Sequence, residues 1–250
     1  MTSPSGPAPR ILALIPAYEE GPRIGAVVTG ALARLQVLVV DDGSTDDTAA
    51  DAEAAGARVV RQVPNQGKGA ALRAGFRVAL EEGYEAVVTL DADGQHDPAE
   101  IPQFLASFAG PGARADPPGA ELPGSGTAGP RPELIVGQRD FSRMPAIRRV
   151  SNTIGTVLLS RAVGRHVPDN QSGYRLLGRR LMTAMLDSRE TGFEFEVEMI
   201  AVCLREGWTL EWVPISTIYA GEPSHVRPVA HLRHFVRATL AARRIVHGRR

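Results

Sequence analysis

The stretch that decides the fold is Ala86-Val87-Val88-Thr89-Leu90-Asp91-Ala92-Asp93-Gly94-Gln95-His96-Asp97-Pro98. Its apolar first half is typical of a buried strand, and it runs into two aspartates one residue apart. A helix start follows at once, because Asp97 suits an N-cap, Pro98 the first helical position and Glu100 a capping box. We therefore predict a strand that ends in a pair of carboxylates and leads directly into a helix.

The rest of the chain alternates strand-like and helix-like segments. Strands are predicted at 10–15, 36–40, 58–62, 133–136 and 210–215, and amphipathic helices at 46–55, 69–82, 98–108 and 145–163, with two more before the last strand. Ser44 and Asp47 are spaced as a capping box for the helix at 46–55. This alternation predicts a single α/β domain with a mostly parallel sheet flanked by helices. In such sheets ligands bind beyond the carboxyl ends of the strands, where the polar clusters at 41–47 and 91–95 fall.

Asp91 and Asp93 place hard oxygens where the chain turns at the end of the strand. With the amide oxygen of Gln95 they form a partial shell for Mg²⁺ or Mn²⁺, whose vacancies phosphate oxygens can fill. This donor set predicts a site for the diphosphate of an activated donor. The alternative is that both aspartates are solvated turn residues, which are common at strand ends.

The composition excludes several classes of protein. A length of 250 residues with 43% hydrophobic residues suits one large domain, and the formal net charge of zero gives no general affinity for nucleic acid. No apolar run approaches the ~20 residues that span a bilayer. The single cysteine, Cys203, fits a reducing compartment. We expect a cytoplasmic protein that at most lies on the inner face of the cell membrane.

Two regions do not follow the alternation of strands and helices. Residues 1–9 are predicted to be a disordered tail, and residues 10–227 the α/β domain. Within the domain, residues 110–132 are about half glycine and proline without periodicity, which predicts a flexible insertion; a functional lid is the alternative.

Residues 228–250 are predicted to form a basic amphipathic helix. No acidic residue follows Glu222, whereas arginines accumulate and an apolar stripe recurs at helical spacing (Val229, Leu232, Phe235, Val236 and Leu240). Such a helix either lies on an anionic membrane or packs its stripe against the core.

Seven segments then form an ordered set: Ile15-Pro16-Ala17-Tyr18-Glu19-Glu20, Val40-Asp41-Asp42-Gly43-Ser44-Thr45-Asp46, Asn65-Gln66-Gly67-Lys68-Gly69, Asp91-Ala92-Asp93, Asp169 to Arg175, Phe193 to Met199, and Ile218 to Pro228. Together they resemble the family 2 glycosyltransferases of the GT-A fold. Within that family the chain is most similar to the branch of dolichyl-phosphate mannose synthases and bacterial polyprenyl-phosphate glycosyltransferases.

The resemblance implies roles for the matched positions. The nucleotide-sugar would contact Pro16, Tyr18, Glu20, Asp42, Lys68, Asp91 and Ala92, and the metal ligands of this DXD motif would be Asp91, Asp93 and Gln95. The bound metal would neutralise the leaving diphosphate. Arg139, at a predicted strand end, would contact the diphosphate or the sugar, since its planar guanidinium suits both.

Lys68 requires a separate interpretation. Gly67-Lys68-Gly69 at a helix start suggests a phosphate-binding loop, but the first glycine of a P-loop would fall at Gln62 and no Ser or Thr follows the lysine. We therefore reject an NTPase. A lysine that flanks a helix N-terminus still stabilises negative charge, so Lys68 remains a candidate contact of the donor.

The acceptor decides which catalytic group is needed. A sugar hydroxyl must lose a proton and needs a carboxylate base, for which Asp169 and Glu198 are the candidates; alternatively they are polar support for the neighbouring loop. A polyprenyl phosphate is already ionised and needs only cations to hold it. The candidate cations Arg175, His225 and Arg227 favour the phosphate.

The expected function is metal-dependent, inverting transfer of a hexose from a nucleotide-sugar of the GDP-mannose or UDP-glucose type to a polyprenyl phosphate. Its catalytic residues would be Asp93, Arg139, Asp169 and Glu198. One alternative keeps the donor but uses a saccharide or other cell-envelope hydroxyl as acceptor. A sugar nucleotidyltransferase would need a glycine-rich basic loop in place of residues 16–20, and a non-catalytic nucleotide-sugar binder is the third alternative.

Overall fold

A seven-stranded sheet forms the centre of the structure, which is a computed structural model describing residues 9–110, 130–144, 146–218 and 228–248. The strands are β1 (Ile11–Ala17), β2 (Gln36–Asp41), β3 (Arg58–Arg61), β4 (Ala86–Thr89), β5 (Leu134–Arg139), β6 (Arg175–Gly178) and β7 (Leu210–Ile215). Their order across the sheet is β3-β2-β1-β4-β6-β5-β7. All pairs are parallel except those of β6, which is antiparallel to β4 and β5.

The helices that connect these strands are α1 (Gly21–Leu32), α2 (Thr48–Ala54), α3 (Lys68–Glu81), α4 (Ile101–Ala109), α5 (Ala146–Val163), α6 (Arg179–Met185), α7 (Glu194–Arg205) and α8 (Pro228–His247). Short 3₁₀ turns at Pro98–Glu100 and Phe141–Arg143 precede α4 and α5. Within the described residues, no helix is both long and apolar enough to cross a membrane.

The two faces of the sheet carry separate apolar clusters, because successive strand side chains point to opposite faces. On β1, Leu12 and Leu14 pack on one face with residues of α3, α6, α7 and α8, whereas Ala13 and Ile15 pack on the other face with residues of α1 and α4. Cys203, on α7, is buried in the first cluster. The predicted α/β class, with a mostly parallel sheet covered by helices on both faces, is confirmed.

Strand β6 was not predicted from the sequence. It has four buried residues, Arg175 to Gly178, and α6 starts directly after it. Four residues without alternation carry no clear strand signal, and β6 acquires its hydrogen bonds from β4 and β5, which are distant in the sequence. Tertiary pairing, rather than local propensity, therefore defines this strand.

Two predicted capping boxes are wrong, and only one of their N-caps, Asp97, is right. Asp97 accepts from the Ala99 N–H at 2.8 Å as predicted, but Glu100 accepts from the backbone of Ser216. Ser44 does not cap α2: its hydroxyl accepts from the Glu19 N–H at 3.0 Å. Both side chains satisfy loop backbone groups elsewhere in the fold, which the local spacing cannot show.

The close contact of α3 with β1 depends on Gly75. A Cβ added there would overlap the side chain of Leu14, which is completely buried. On α1, a Cβ added at Gly25 meets no atom within 4 Å. The two glycines therefore have different reasons to be present in a helix.

We expect Gly75→Ala to lower the free energy of unfolding by about 1–3 kcal/mol, because the added methyl group overpacks a filled core. Gly25→Ala is the matched control and should raise it by up to about 1 kcal/mol through helix propensity. Urea unfolding followed by circular dichroism measures both. Equal effects of the two substitutions would contradict the packing explanation.

Candidate active site

The carboxyl ends of β1, β2 and β4 surround a cleft of about 400 Å³. It is lined by Pro16, Ala17, Tyr18, Glu20, Asp42, Asn65, Gly67, Lys68, Ala71, Asp91, Ala92 and Asp93. All seven positions predicted to hold a nucleotide-sugar are in this set, together with Asp93. The volume falls in the range of small-molecule sites, about 300–1,000 Å³.

The cleft contains a chain of ion pairs centred on Lys68. Its ammonium lies 2.5 Å from Oδ1 of Asp91 and 2.8 Å from Oε1 of Glu196, which is almost completely buried on α7. Burial alone would lower the pKa of Lys68, but the two carboxylates outweigh it and raise that pKa. Lys68 therefore remains charged and joins α3, the end of β4 and α7. Glu196 was not predicted as a site residue.

The pKa values of the two aspartates of the motif, Asp91 and Asp93, shift in opposite directions. Burial would raise the pKa of Asp91, but the charge of Lys68 reverses this and lowers it below the ordinary value. Burial raises the pKa of Asp93, and the neighbouring charge of Asp91 adds to the rise. Asp93 is thus a half-buried carboxylate that an additional positive charge would stabilise.

His96 lies beneath the aspartates and is a site neighbour that the sequence interpretation missed. Its Nδ1 is 3.8 Å from Asp91 Oδ2 and accepts a hydrogen bond from the Asp91 N–H at 3.2 Å. Burial lowers the pKa of His96, so the ring is neutral near pH 7 and does not form an ion pair with Asp91. It packs instead on Tyr174 and fixes the backbone at Asp91.

The donor set at this point fits a divalent cation that also binds a ligand. Two hard carboxylates, Asp91 and Asp93, face one cleft, and the backbone of Gln95 donates to Asp93 Oδ1 at 2.9 Å. Among the described residues, no group of three or more Asp, Glu, His or Cys side chains could hold a metal alone. Mg²⁺ is commonly held by one or two carboxylates plus substrate phosphates, and this arrangement matches that requirement.

The loop before α3 is fixed by Asp42 and by two glycines. Asp42 is buried and accepts from the N–H groups of Gln66 and Gly67 at 2.8 and 2.7 Å. Gly67 and Gly69 press against the backbone at residues 190–191, and the Gly69 N–H donates to the Thr191 carbonyl. The helix N-terminus is thus occupied by protein groups, so these glycines serve close packing rather than a phosphate loop.

The loop after β1 places Tyr18 and Glu20 at the mouth of the cleft. Tyr18 is half exposed, and Glu20 accepts from the Arg23 guanidinium at 2.8 Å. Glu19, with a φ of +56°, accepts from the N–H of Thr45 at 2.8 Å. These contacts join the β1 and β2 loops, so the residues predicted to hold the nucleoside belong to one connected rim.

Arg139 and Asp169 form a bidentate pair beside the cleft. The guanidinium nitrogens of Arg139 lie 2.7 and 2.9 Å from the two oxygens of Asp169, which is completely buried. The same carboxylate also accepts from the N–H groups of Arg139 and Gln171. Its oxygens are committed to protein donors, so the structure does not fit the prediction of Asp169 as a base. It positions Arg139 instead.

Two further site predictions are not matched by the geometry. Glu198 is not among the cleft residues; it accepts from the Ser188 hydroxyl, and burial raises its pKa. Glu196, two residues earlier on α7, is the carboxylate that reaches the site. Because residues two apart on a helix do not share a face, the choice between them could not be made without the helix orientation.

Arg175 is completely buried and does not reach an acceptor. Its guanidinium donates to the carbonyls of Ser172, Asn170 and Glu196 at 2.8, 3.2 and 2.5 Å. It therefore connects the 169–174 loop to the first turn of α7. His225 and Arg227, the other predicted acceptor contacts, lie outside the described residues.

Removing the ammonium of Lys68 should destabilise the protein in a pH-dependent way. In Lys68→Met, Asp91 and Glu196 lose their common cation. We expect a loss of about 2 kcal/mol in the free energy of unfolding at pH 7, below the usual cost of a broken buried pair because Lys68 and Asp91 are partly exposed. The lowered pKa of Asp91 stabilises the fold above the ordinary carboxyl pKa, near 4, and this contribution is lost as pH falls. The difference from wild type should therefore shrink between pH 7 and pH 3.

Urea unfolding at both pH values measures this difference. Arg58→Met, which removes the exposed pair with Glu82, is the control and should cost little at either pH. An equal loss for Lys68→Met at pH 7 and pH 3 would show that only packing had been removed.

The chain is similar to known proteins over most of its length. An undecaprenyl-phosphate mannosyltransferase from Micrococcus luteus is 30% identical over 84% of this chain and 84% of its own length. A polyprenol monophosphomannose synthase from Mycolicibacterium smegmatis is 32% identical over 84% of this chain and 78% of its own. Among solved structures, glucosyl-3-phosphoglycerate synthase from Mycobacterium tuberculosis, in complex with Mn²⁺, uridine diphosphate and phosphoglyceric acid, superposes with a TM-score of 0.69 at 22% identity, over 94% of this chain and 79% of the other.

The likeness to that synthase shows the fold alone, the GT-A arrangement expected from the sequence. Residues 13–182 match the family described as "Glycosyl transferase family 2". The chain therefore belongs to glycosyl transferase family 2, and it is a glycosyltransferase.

Proposed function

We propose that this glycosyltransferase transfers a hexose, with inversion, from a nucleotide-sugar to a polyprenyl phosphate, assisted by Mg²⁺ or Mn²⁺. The observation that carries the proposal is the placement of Asp91 and Asp93 on the wall of the cleft that Pro16, Tyr18 and Asp42 also line. A carboxylate pair beside a pocket of nucleotide size is the arrangement that a nucleoside diphosphate with a bound cation requires.

The donor would bind with its nucleoside toward the β1–β2 rim and its diphosphate toward β4. Asp42 uses one lone pair of each oxygen on the loop backbone and retains others for a base or ribose donor. Tyr18 offers a half-exposed ring at the mouth. The solved relatives that contain uridine diphosphate with Mn²⁺ or Mg²⁺ support a donor of this chemical class.

Asp91 and Asp93, with the Gln95 amide as a further candidate, would hold the cation. When bound, it supplies positive charge to the diphosphate as the bond to the sugar breaks. Lys68 holds one oxygen of Asp91 and keeps that side chain ionised. Arg139, oriented by Asp169, presents a fixed guanidinium from the end of β5 toward the same edge.

The hydrogen bonds of Asp169 and the position of Glu198, the two candidate bases, favour a phosphate acceptor. Asp169 is saturated by four donor contacts, and Glu198 lies outside the cleft. A sugar hydroxyl would thus lack the base predicted for it, whereas an ionised phosphate oxygen attacks without losing a proton. In one displacement that oxygen bonds to the anomeric carbon and the nucleoside diphosphate leaves from the opposite side, which inverts the configuration. The polyprenyl-phosphate relatives support the same acceptor.

Nucleotide binding should depend on Asp93. With Mn²⁺ present, we expect UDP or GDP at 100 times its Kd to raise the melting temperature by roughly 5–10 °C, since the ligand binds only the folded state. The shift should vanish in Asp93→Asn and persist in Glu198→Gln, a carboxylate neutralised outside the cleft. A thermal-shift assay measures all three proteins; no response of wild type to any nucleoside diphosphate would contradict the proposal.

The acceptor is tested by following the transferred sugar. Incubation with radiolabelled donor, Mn²⁺ and a polyprenyl phosphate should place label in the organic phase after solvent extraction. The reaction should fall by about 10²-fold or more in Arg139→Met, because the positioned cation beside the reacting groups is lost. Label that stays in the water phase and appears on an added saccharide would establish the alternative acceptor.

A further inference from the structure

Helix α5 exposes an apolar row on the side opposite its buried contacts. Val150, Ile154, Val157 and Leu158 are each between 39% and 57% exposed. Their spacing of four, seven and eight residues places them on one face of the helix. The opposite face is buried at residues such as Gly155, Leu159 and Val163. Four large apolar side chains that share one exposed face are unusual for a surface helix, whose apolar stripe normally faces the core.

Helix α8 repeats this arrangement beside α5. It buries Phe235, Ala238 and Ala242 in the core and leaves Val236 and Leu240 43% and 49% exposed. The predicted stripe is therefore divided: Phe235 packs inward, whereas Val236 and Leu240 face solvent. Packing on the core therefore accounts for Phe235, and membrane contact, the other expectation for this helix, stays a prediction.

The two helices are in contact and run in the same direction. Gly155 of α5 faces the Phe235 ring of α8, and farther along His247 Nε2 lies 3.1 Å from the carbonyl oxygen of Ala162. Their exposed apolar residues therefore belong to two adjacent helices. We call these residues the α5–α8 face: Val150, Ile154, Val157, Leu158, Val236 and Leu240.

The charged side chains of these two helices have one sign, and Glu190, which pairs with Arg237 of α8, belongs to another segment of the chain. Neither α5 nor α8 contains an aspartate or glutamate, although the chain as a whole balances 28 acidic with 28 basic residues. Arg149 and Arg161 on α5 are exposed, as are Arg243 and Arg244 on α8. Apolar side chains edged by arginines match a surface with negative headgroups over hydrocarbon. Two copies of the face would instead bring arginines together, which disfavours a dimer.

We propose that the α5–α8 face is a docking surface for an anionic lipid bilayer. The apolar residues enter the headgroup boundary and the arginines contact the phosphates beside them. This inference goes beyond the transfer reaction, since the docking needs neither donor nor acceptor.

The position of α5 in the chain connects this surface to the cleft. The helix lies between Arg139, at the end of β5, and Asp169, and these two residues are joined by the bidentate pair. The segment that carries the docking helix thus begins after Arg139 and ends before Asp169, the residue that orients it.

The test is sedimentation of the full-length protein with vesicles, without donor or acceptor. We expect binding to vesicles that contain phosphatidylglycerol and little binding to phosphatidylcholine alone, with the anionic binding weakened by added NaCl. Ile154→Asp with Leu158→Asp should reduce the bound fraction to that seen with neutral vesicles. Arg149→Glu with Arg161→Glu should weaken binding by about fivefold or more for each arginine.

The control carries the same chemical changes on the other face of the sheet. Leu32 and Arg34 are exposed at the end of α1, and Leu32→Asp with Arg34→Glu should bind vesicles as wild type does. All variants should keep the melting shift with nucleotide and Mn²⁺, which shows that the fold and cleft are intact. Equal binding to neutral and anionic vesicles, or unchanged binding of the α5 variants, would overturn the docking proposal and leave the proposed reaction standing. A concentration-dependent dimer that the aspartates abolish would assign the face to a second copy of the chain and overturn it as well.

Discussion

The ammonium of Lys68 between Asp91 and Glu196 is the interaction on which the site depends. It brings together α3, the end of β4 and α7, three elements far apart in the sequence. Without a cation the two carboxylates would repel each other in a partly buried setting, where such repulsion is strong. Lys68 is also the only lysine in the chain. Arginine supplies every other Lys-or-Arg charge in the chain, and the one ammonium lies where two carboxylates converge.

A second, fully buried group supports this arrangement. Arg175 donates to carbonyls on the 169–174 loop and to the carbonyl of Glu196, so it connects the residue that orients Arg139 with the residue that anchors Lys68. Gly173 completes the contact, since a Cβ there would overlap the Asp91 carboxylate. The site is therefore one hydrogen-bonded unit, in which charged groups at the cleft are oriented by backbone groups behind them.

The sequence predicted what depends on local pattern. The strand leading to Asp91, the Asp97 cap, the parallel sheet and the placement of Asp42 and Asp91 at one edge follow from period, turn chemistry and the order of elements. The family resemblance added Pro16 and Tyr18. What it could not predict depends on distant partners. Arg175 and Asp169 are of residue types that are common in binding sites. Only their buried contacts show that they hold neighbouring site residues in position. Glu196 and Glu198 lie two residues apart on α7, and only the orientation of that helix decides which of them reaches the site.

The pairing of Arg139 with Asp169 has a consequence for how the protein can vary. It joins the two ends of the excursion from residue 140 to residue 168, whose helix α5 packs Leu159 and Val163 into the core. Lengthening a segment whose ends are already fixed is inexpensive, about 0.6 kcal/mol for each doubling of a flexible loop. An insertion in an exposed turn of this excursion would thus leave the guanidinium of Arg139 oriented by Asp169.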